Sequence, residues 1–415
     1  MIQRNPKLLW PLLAALLVFT NGCREREFLS PPPVPVAAAQ DHWIRVLLGK
    51  DLKTCTILAP SSYEITDTSG GSSLGRFARS PSPLTVTALA GQLSVGGKLF
   101  QNRQITLIPD QPFVFYLNGK GYRGELRIIA NVAANSFDIV NHVPLETYLA
   151  GVVGAEMPSY WEPESLKAQA IASRTYCLYI KQRFGWQRSW DVNKTQANQM
   201  YLGLEAESPK VWDAVNQTAG QVLNCRDGSG KEGIFPTYFS SVCGGHTEDS
   251  KKVFGESFSP LCGVECLWCR QTAARDMFFW PMIKFDTTYV TSQLTAKYPS
   301  LAKLGPISNI LIDKTSDCEG FLRITNVKLV GTNGQIDSLR AEDLRLAVDP
   351  TGRKVRSTIC KITVAGQTVT FFSGQGFGHG VGLCQYGSQG MARSGAVARH
   401  ILAHYYPGAS IAKLY

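Results

Sequence analysis

Four groups of residues in this chain have types and spacings that could do chemistry. The first is Glu156, in "GVVGAEMP". Pro158 disfavours helix at Met157, so the helical pattern before it should stop at Glu156. A carboxyl at a helix C-terminus meets partial negative charge, and Val152, Val153 and Met157 can desolvate it. Both effects raise a carboxyl pKa, as a general acid working near neutral pH requires. A Glu in this place is also read simply as a solvated side chain closing a helix. The second group is "CGGH" and "CGVECLWC", which supply Cys243, His246, Cys262, Cys266 and Cys269. Cys-x2-His followed by Cys-x2-Cys suits a tetrahedral zinc ion, with Cys243, His246, Cys266 and Cys269 as ligands. Four protein ligands leave no place for water, so such a zinc would be structural. A disulfide from Cys243 to Cys262, Cys266 or Cys269 is the rival. The third group is "GQGFGHGVGLCQYG", where six glycines surround His379. Glycine is tolerated where another backbone or a ligand comes close, or where φ is positive. The fourth is Arg174, whose guanidinium can hold a carboxylate by two parallel hydrogen bonds. It reads equally well as half of a structural ion pair with Glu164 or Asp191.

These side chains need elements to place them. From His42 to about Asn141 short β-prone runs ("IRVLLG", "LTVTAL", "QITLIP", "ELRIIA") alternate with Gly, Ser, Pro and Asn. From Pro144 the period changes. Leu145, Tyr148, Leu149 and Val152 fall at helical spacing. A second helix starts at Pro163 and places Leu166, Ala170, Cys177, Ile180 and Phe184 on one face. A short helix, "SPKVWDAVNQTAG", ends at Gly220. "FPTYFSSVCGGHTED" reads as strand into loop. Residues 321–369 are β again around a "LRAEDLRLAV" helix, and "MARSGAVARHILAHYY" is a last helix before "PG". The expected class is α+β, with β-rich N- and C-terminal parts around a helical middle.

Composition bounds the setting. The chain has 415 residues and a net charge of +10, which favours an anionic partner. Without a dense Lys/Arg run or a nucleic-acid motif, nucleic acid is excluded from the expected partners. The start, "MIQRNPKLLWPLLAALLVFTNGC", has Arg4 and Lys7 before an apolar stretch too short to span a membrane comfortably. It resembles a bacterial lipoprotein signal, with residues 1–22 removed and Cys23 lipidated, although Thr20 stands where such signals usually carry Leu. A plain secretory signal is the alternative. Residues 23–41 then form a Pro-rich tether. Either way the folded part is expected outside the cytoplasm. There disulfides and metal sites are both open to the ten cysteines left after Cys23. Among these Cys177 reads as a buried thiol, and Cys318 and Cys360 as a candidate pair.

"VPLETYLAGVVGAEMP", "LKAQAIASRTY", "YFSSVCGGHT" and "GFGHGVGLCQYGSQGMA…ILAHYYPG" together resemble the stage II sporulation protein D (SpoIID/LytB) family, in the family's order and over roughly residues 42–415. The resemblance implies an extracytoplasmic protein acting on peptidoglycan, without implying sporulation. Some members are lytic transglycosylases that cut MurNAc–GlcNAc β-1,4 bonds of peptide-stripped strands and form 1,6-anhydroMurNAc. Others are described as enhancers of a cell-wall amidase. The resemblance implies Glu156 as the single acid and base. It implies a glycan-binding groove in which Gln169, Arg174, Tyr176, Tyr238, Ser240, Ser241, His379, Gln385 and Tyr386 contact sugar or position the acid. It allows a structural zinc at the Cys/His loop of residues 243–269, with no cofactor for catalysis. A non-enzymatic module that binds the wall and stimulates an N-acetylmuramoyl-L-alanine amidase is the alternative. The lipid would make the membrane a further partner. The implied division is a β-rich subdomain at 42–141 and a catalytic region at 142–415. Phe377 and Cys384-Gln385-Tyr386 depart from the Trp and Ser-Gln-Trp that relatives often carry.

Overall fold

The computed structural model describes residues 42–415, apart from 90, 227, 229, 319 and 320. The signal, the tether and Cys23 lie outside the described residues. The fold is α+β, as the sequence pattern predicts.

The N-terminal part is two antiparallel-dominated sheets. In Trp43–Leu52 the residues Ile44, Val46 and Leu48 alternate inward and are buried, the period-2 signature of a half-buried strand. The long strand Ser136–Pro144 lies between Trp43–Leu52 and Glu125–Asn131, antiparallel to both. They belong to a seven-stranded sheet. A six-stranded sheet includes Thr54–Leu58 and Leu84–Leu89, and both sheets feed one apolar core.

The strand Ser136–Pro144 runs directly into the helix Leu145–Glu156. That helix buries Leu145, Tyr148, Leu149, Val152 and Val153 and ends where Met157 turns extended ahead of Pro158. Pro163–Phe184 follows. It is buried on more than the one apolar face predicted, because Ser165, Gln169, Ser173 and Arg174 are buried as well. Ser165, Ser173 and Arg174 find polar partners inside, and Gln169 does so through its Nε2, which offsets much of the cost of desolvating them.

The apolar cores divide the chain differently from a boundary at 141/142. One core runs from Ile44 through Phe278 and takes in Val381–Tyr406. The second spans Trp280–Phe371. It is built from the strands Ile283–Asp286, Ile307–Cys318, Phe321–Gly331, Ile336–Arg340, Ile359–Ala365 and Thr368–Gln375, with the helices Thr287–Lys297 and Ala341–Val348. The N-terminal sheets and the helical middle share one interior because the strand and helix are continuous at Pro144. Residues 280–371 have an apolar core of their own. The expected last helix is two, Gln385–Arg393 and Ala398–Tyr405. They are separated where Gly395 takes a positive φ of 89°. Among the described residues no helix is long and apolar enough to cross a membrane.

Candidate functional site

Glu156 sits on the last turn of its helix and is half-buried. Oε1 accepts from the backbone N–H of Met200 at 2.8 Å, and Oε2 accepts from Gln385 Nε2 at 3.2 Å. Burial raises its pKa above the ordinary Glu value, and the two hydrogen bonds oppose that rise without cancelling it. Each oxygen therefore has one donor and a further lone pair to offer.

The glycines of "GVVGAE" explain how Met200 gets there. A side chain at Gly151 would meet the Tyr201 ring and Gly203 Cα, and one at Gly154 would meet the Ala206 backbone. Both glycines thus open one side of the helix to residues 201–206. Leu202 N–H bonds Gly151 O at 3.2 Å, and the preceding Met200 reaches the carboxylate. Behind it runs a buried chain. Tyr148 Oη donates to Gln199 Oε1 at 3.0 Å, and Gln199 Nε2 donates to Ser173 O at 3.1 Å. Met200 was not among the expected site residues. A backbone N–H has no residue signature, and the paired small residues 151 and 154 are the only sequence trace of the approach.

Arg174 does not reach a surface. Its guanidinium is fully buried and forks onto Glu146, with Nε to Oε1 at 2.8 Å and Nη2 to Oε2 at 2.6 Å. Nη1 donates to Gln221 O at 3.0 Å. Gly220 N–H and Tyr415 Oη bond the same carboxylate. Arg174 therefore ties its own helix to the Leu145–Glu156 helix and to the first residue of the strand Gln221–Arg226, and its burial keeps the guanidinium from solvent. The structural partner is Glu146 in place of Glu164 or Asp191, which pair with Lys167 and Arg45. Gln169 is likewise fully buried. It donates to Ser173 Oγ at 3.0 Å, and its Oε1 has no hydrogen-bond partner. Tyr176 is buried too, bonded to the Asn198 side chain and packed on Tyr238 and Phe239. Both side chains lie in the protein interior.

The glycine stretch bends with positive φ at Gly376, Gly378, Gly380 and Gly382. The atoms that forbid side chains there belong to the protein itself: Val242 O, Ser240, Arg323 and Tyr238 O. Of the two close approaches expected there, another backbone or a ligand, residues 238–244 and Arg323 supply one from within the protein. Phe239–Ser240 and Leu383–Cys384 pair in parallel. That pairing buries Ser240, and Ser241 accepts from Tyr386 N–H at 3.1 Å. Pairing also carries Gln385, the first residue of its helix, to Glu156. Tyr386 is half-buried edge-on to Trp161 at 4.9 Å. His379 is held by backbone and aromatic neighbours. Its Nδ1 accepts from Val381 N–H at 3.0 Å, its ring bonds the Phe239 backbone, and Phe254 and Tyr238 pack around it at 5.1 and 5.9 Å. Burial lowers its pKa to about 4, so the ring is neutral at physiological pH.

The cysteines gather differently from their spacing. Cys243, Cys266, Cys269 and Cys384 are all buried, with sulfurs within 4.8 Å of one another. His246 is not in the group. Its Nδ1 lies 2.5 Å from Thr247 O, and it is half-buried at an isolated bridge to Glu265. Gly244 and Gly245, both at positive φ, turn the chain after Cys243 so that His246 leaves the cluster. Cys384 takes the fourth place from a segment 141 residues away.

The sequence profile of the SpoIID family, described as "Stage II sporulation protein", matches residues 133–224, which hold the Glu156 helix, the Arg174 helix and Met200. An uncharacterized protein of Brachyspira hyodysenteriae is 32% identical over 297 residues, covering 72% of this chain and 74% of that protein. Stage II sporulation protein D of Bacillus subtilis is 28% identical over 292 residues, 66% of this chain and 76% of that protein. The amidase enhancer of Bacillus subtilis is 28% identical over 332 residues, 71% of this chain but 44% of that protein.

Proposed function

Because the chain belongs to the stage II sporulation protein D family, we propose that it is an extracytoplasmic lytic transglycosylase that cuts peptidoglycan glycan strands with Glu156 as its one acid and base. The substrate is the MurNAc–GlcNAc β-1,4 bond, in strands stripped of stem peptides. The protonated carboxyl of Glu156 gives its proton to the bridging oxygen. The C1–O bond breaks, and its electron pair leaves with the GlcNAc 4-oxygen. The carboxylate then takes the proton of the MurNAc C6 hydroxyl, whose oxygen closes on C1 to give the 1,6-anhydro end. No water enters, so one carboxyl replaces the pair that ordinary glycoside hydrolysis uses.

The observation that carries this reading is the environment of Glu156. Burial raises its pKa, which favours a proton held ready for donation. Met200 N–H and Gln385 Nε2 steady the carboxylate once the proton has gone. The net charge of +10 suits a strand bearing one lactyl carboxylate per MurNAc, through a long-range, salt-sensitive attraction. The N-terminal signal, with Cys23 as lipid attachment point, would hold the enzyme to a membrane facing the wall. Denuded glycan strands incubated with the protein should gain 1,6-anhydroMurNAc ends by mass spectrometry. Strand binding without such ends would reject the enzyme reading.

A second reading is a wall-binding module that stimulates an N-acetylmuramoyl-L-alanine amidase. The similarity to the amidase enhancer favours it. It predicts faster stem-peptide release by an added amidase, equally with Glu156→Gln.

A further inference from the structure

We infer that Cys243, Cys266, Cys269 and Cys384 form a closed tetrathiolate site for one zinc-class divalent ion, and that this site anchors the helix whose first residue contacts Glu156. The four sulfurs come from three separate segments and lie within 4.8 Å of one another. Four sulfurs at ~2.3 Å from a central zinc occupy tetrahedron corners ~3.8 Å apart. Cys243 Sγ and Cys269 Sγ are 3.7 Å apart. An all-thiolate, fully buried set selects a soft ion over calcium or magnesium and leaves no coordination place for water.

The surroundings suit the charge of such a centre. Cys384 Sγ accepts from Cys243 N–H at 3.2 Å and from Gly387 N–H at 3.4 Å. Tyr405 Oη is 3.0 Å from Cys266 Sγ. Donors to ligand sulfurs orient the ligands and offset their charge. Gly387 adds a steric argument. A side chain there would strike Tyr405 Oη and Cys266 Sγ, so its absence lets Cys266 close on the Cys384 turn.

Cys384 is the N-cap of Gln385–Arg393. An ion bound through Cys384 would tie this helix to the loops holding Cys243 and Cys266–Cys269, and so fix where Gln385 stands. The metal readouts are independent of the transglycosylase reading, because metal content and spectra need no activity.

The test uses the full chain purified without a polyhistidine tag in reducing buffer. Elemental analysis should find one zinc per chain. Exchange with Co2+ should give the thiolate-to-cobalt charge-transfer bands and visible d–d bands of a tetrahedral all-sulfur centre. Cys384→Ser should weaken metal retention against a chelator by at least tenfold, while His246→Ala should keep both stoichiometry and cobalt spectrum. Chelation should raise amide hydrogen exchange across residues 385–393. If Cys384→Ser does not fold, the cobalt spectrum of the unaltered chain separates four sulfurs from three sulfurs and one nitrogen. A metal-free chain, disulfides among these four cysteines, or metal lost with His246→Ala and kept with Cys384→Ser would overturn the assignment.

Discussion

Replacing Glu156 by Gln removes the one proton the proposed reaction moves and keeps the side chain's shape. The new amide oxygen can still accept from Met200 N–H, and Gln385 can turn its own amide so that its oxygen faces the new NH2 group. The fold should therefore survive. General acid–base catalysis contributes about 10²–10⁴-fold, ~3–5 kcal/mol of barrier. Anhydro-end formation should fall by at least that factor, since one group serves both steps. Stability should move the other way. Burial lifts the Glu156 pKa above 4.5 in the folded state, so the folded chain binds this proton more tightly than the unfolded chain. Below the ordinary Glu value both states are protonated and the group is neutral to stability. As pH rises from there to the raised value, the unfolded chain releases its proton first and stability falls. The cost of an ionised, desolvated carboxylate is complete above the raised pKa. The variant lacks that cost. It should melt above the unaltered protein at about pH 8, with the advantage shrinking toward about pH 4. Cleavage retained within a few fold would refute the acid assignment. A variant less stable at every pH would refute the burial argument.

Three further outcomes follow from the same geometry. Gln385→Ala removes a hydrogen bond that lowers the Glu156 pKa, so the high-pH limb of the cleavage profile should shift upward, with a rate loss of about tenfold. Arg174→Ala should cost ~3–5 kcal/mol in urea unfolding by leaving Glu146 buried without its cation, and Arg174→Lys should recover only part of this, because a lysine cannot reproduce the fork. His379→Ala should lower stability by ~1–3 kcal/mol through lost aromatic contacts and hydrogen bonds. It should leave the shape of the pH profile near pH 7 unchanged, because a histidine with a pKa of about 4 does not titrate there; a lost limb would place His379 in the proton chemistry.

Local signals in the sequence predicted local structure well. Pro158 placed the end of the Glu156 helix at the residue where it stops, and Pro163 placed the start of the next. Alternating Ile44, Val46 and Leu48 marked a strand. The α+β class followed from the change of period at Pro144. The burial of polar residues inside the Arg174 helix has no sequence signal, because a polar residue type does not reveal whether its partners are protein or solvent. The break at Gly395 is not legible in the sequence, because a single glycine is compatible with a helix interior at a modest cost.

By itself, then, the sequence determined the elements, the place of Glu156 on its helix, and the supply of thiols. All of these depend on neighbours a few residues away. Only the tertiary structure decided that Arg174 pairs with Glu146, that Met200 donates to the Glu156 carboxylate, that backbone and side chains of the protein fill the space beside the glycines, and that Cys384, not His246, joins the sulfur cluster. Each of these is a contact between distant segments. The cluster depends on the pairing of Phe239–Ser240 with Leu383–Cys384, which sets one segment against another across more than a hundred residues. Spacing along the chain measures reach within one turn or one loop, and it carries no information about which strand will lie alongside.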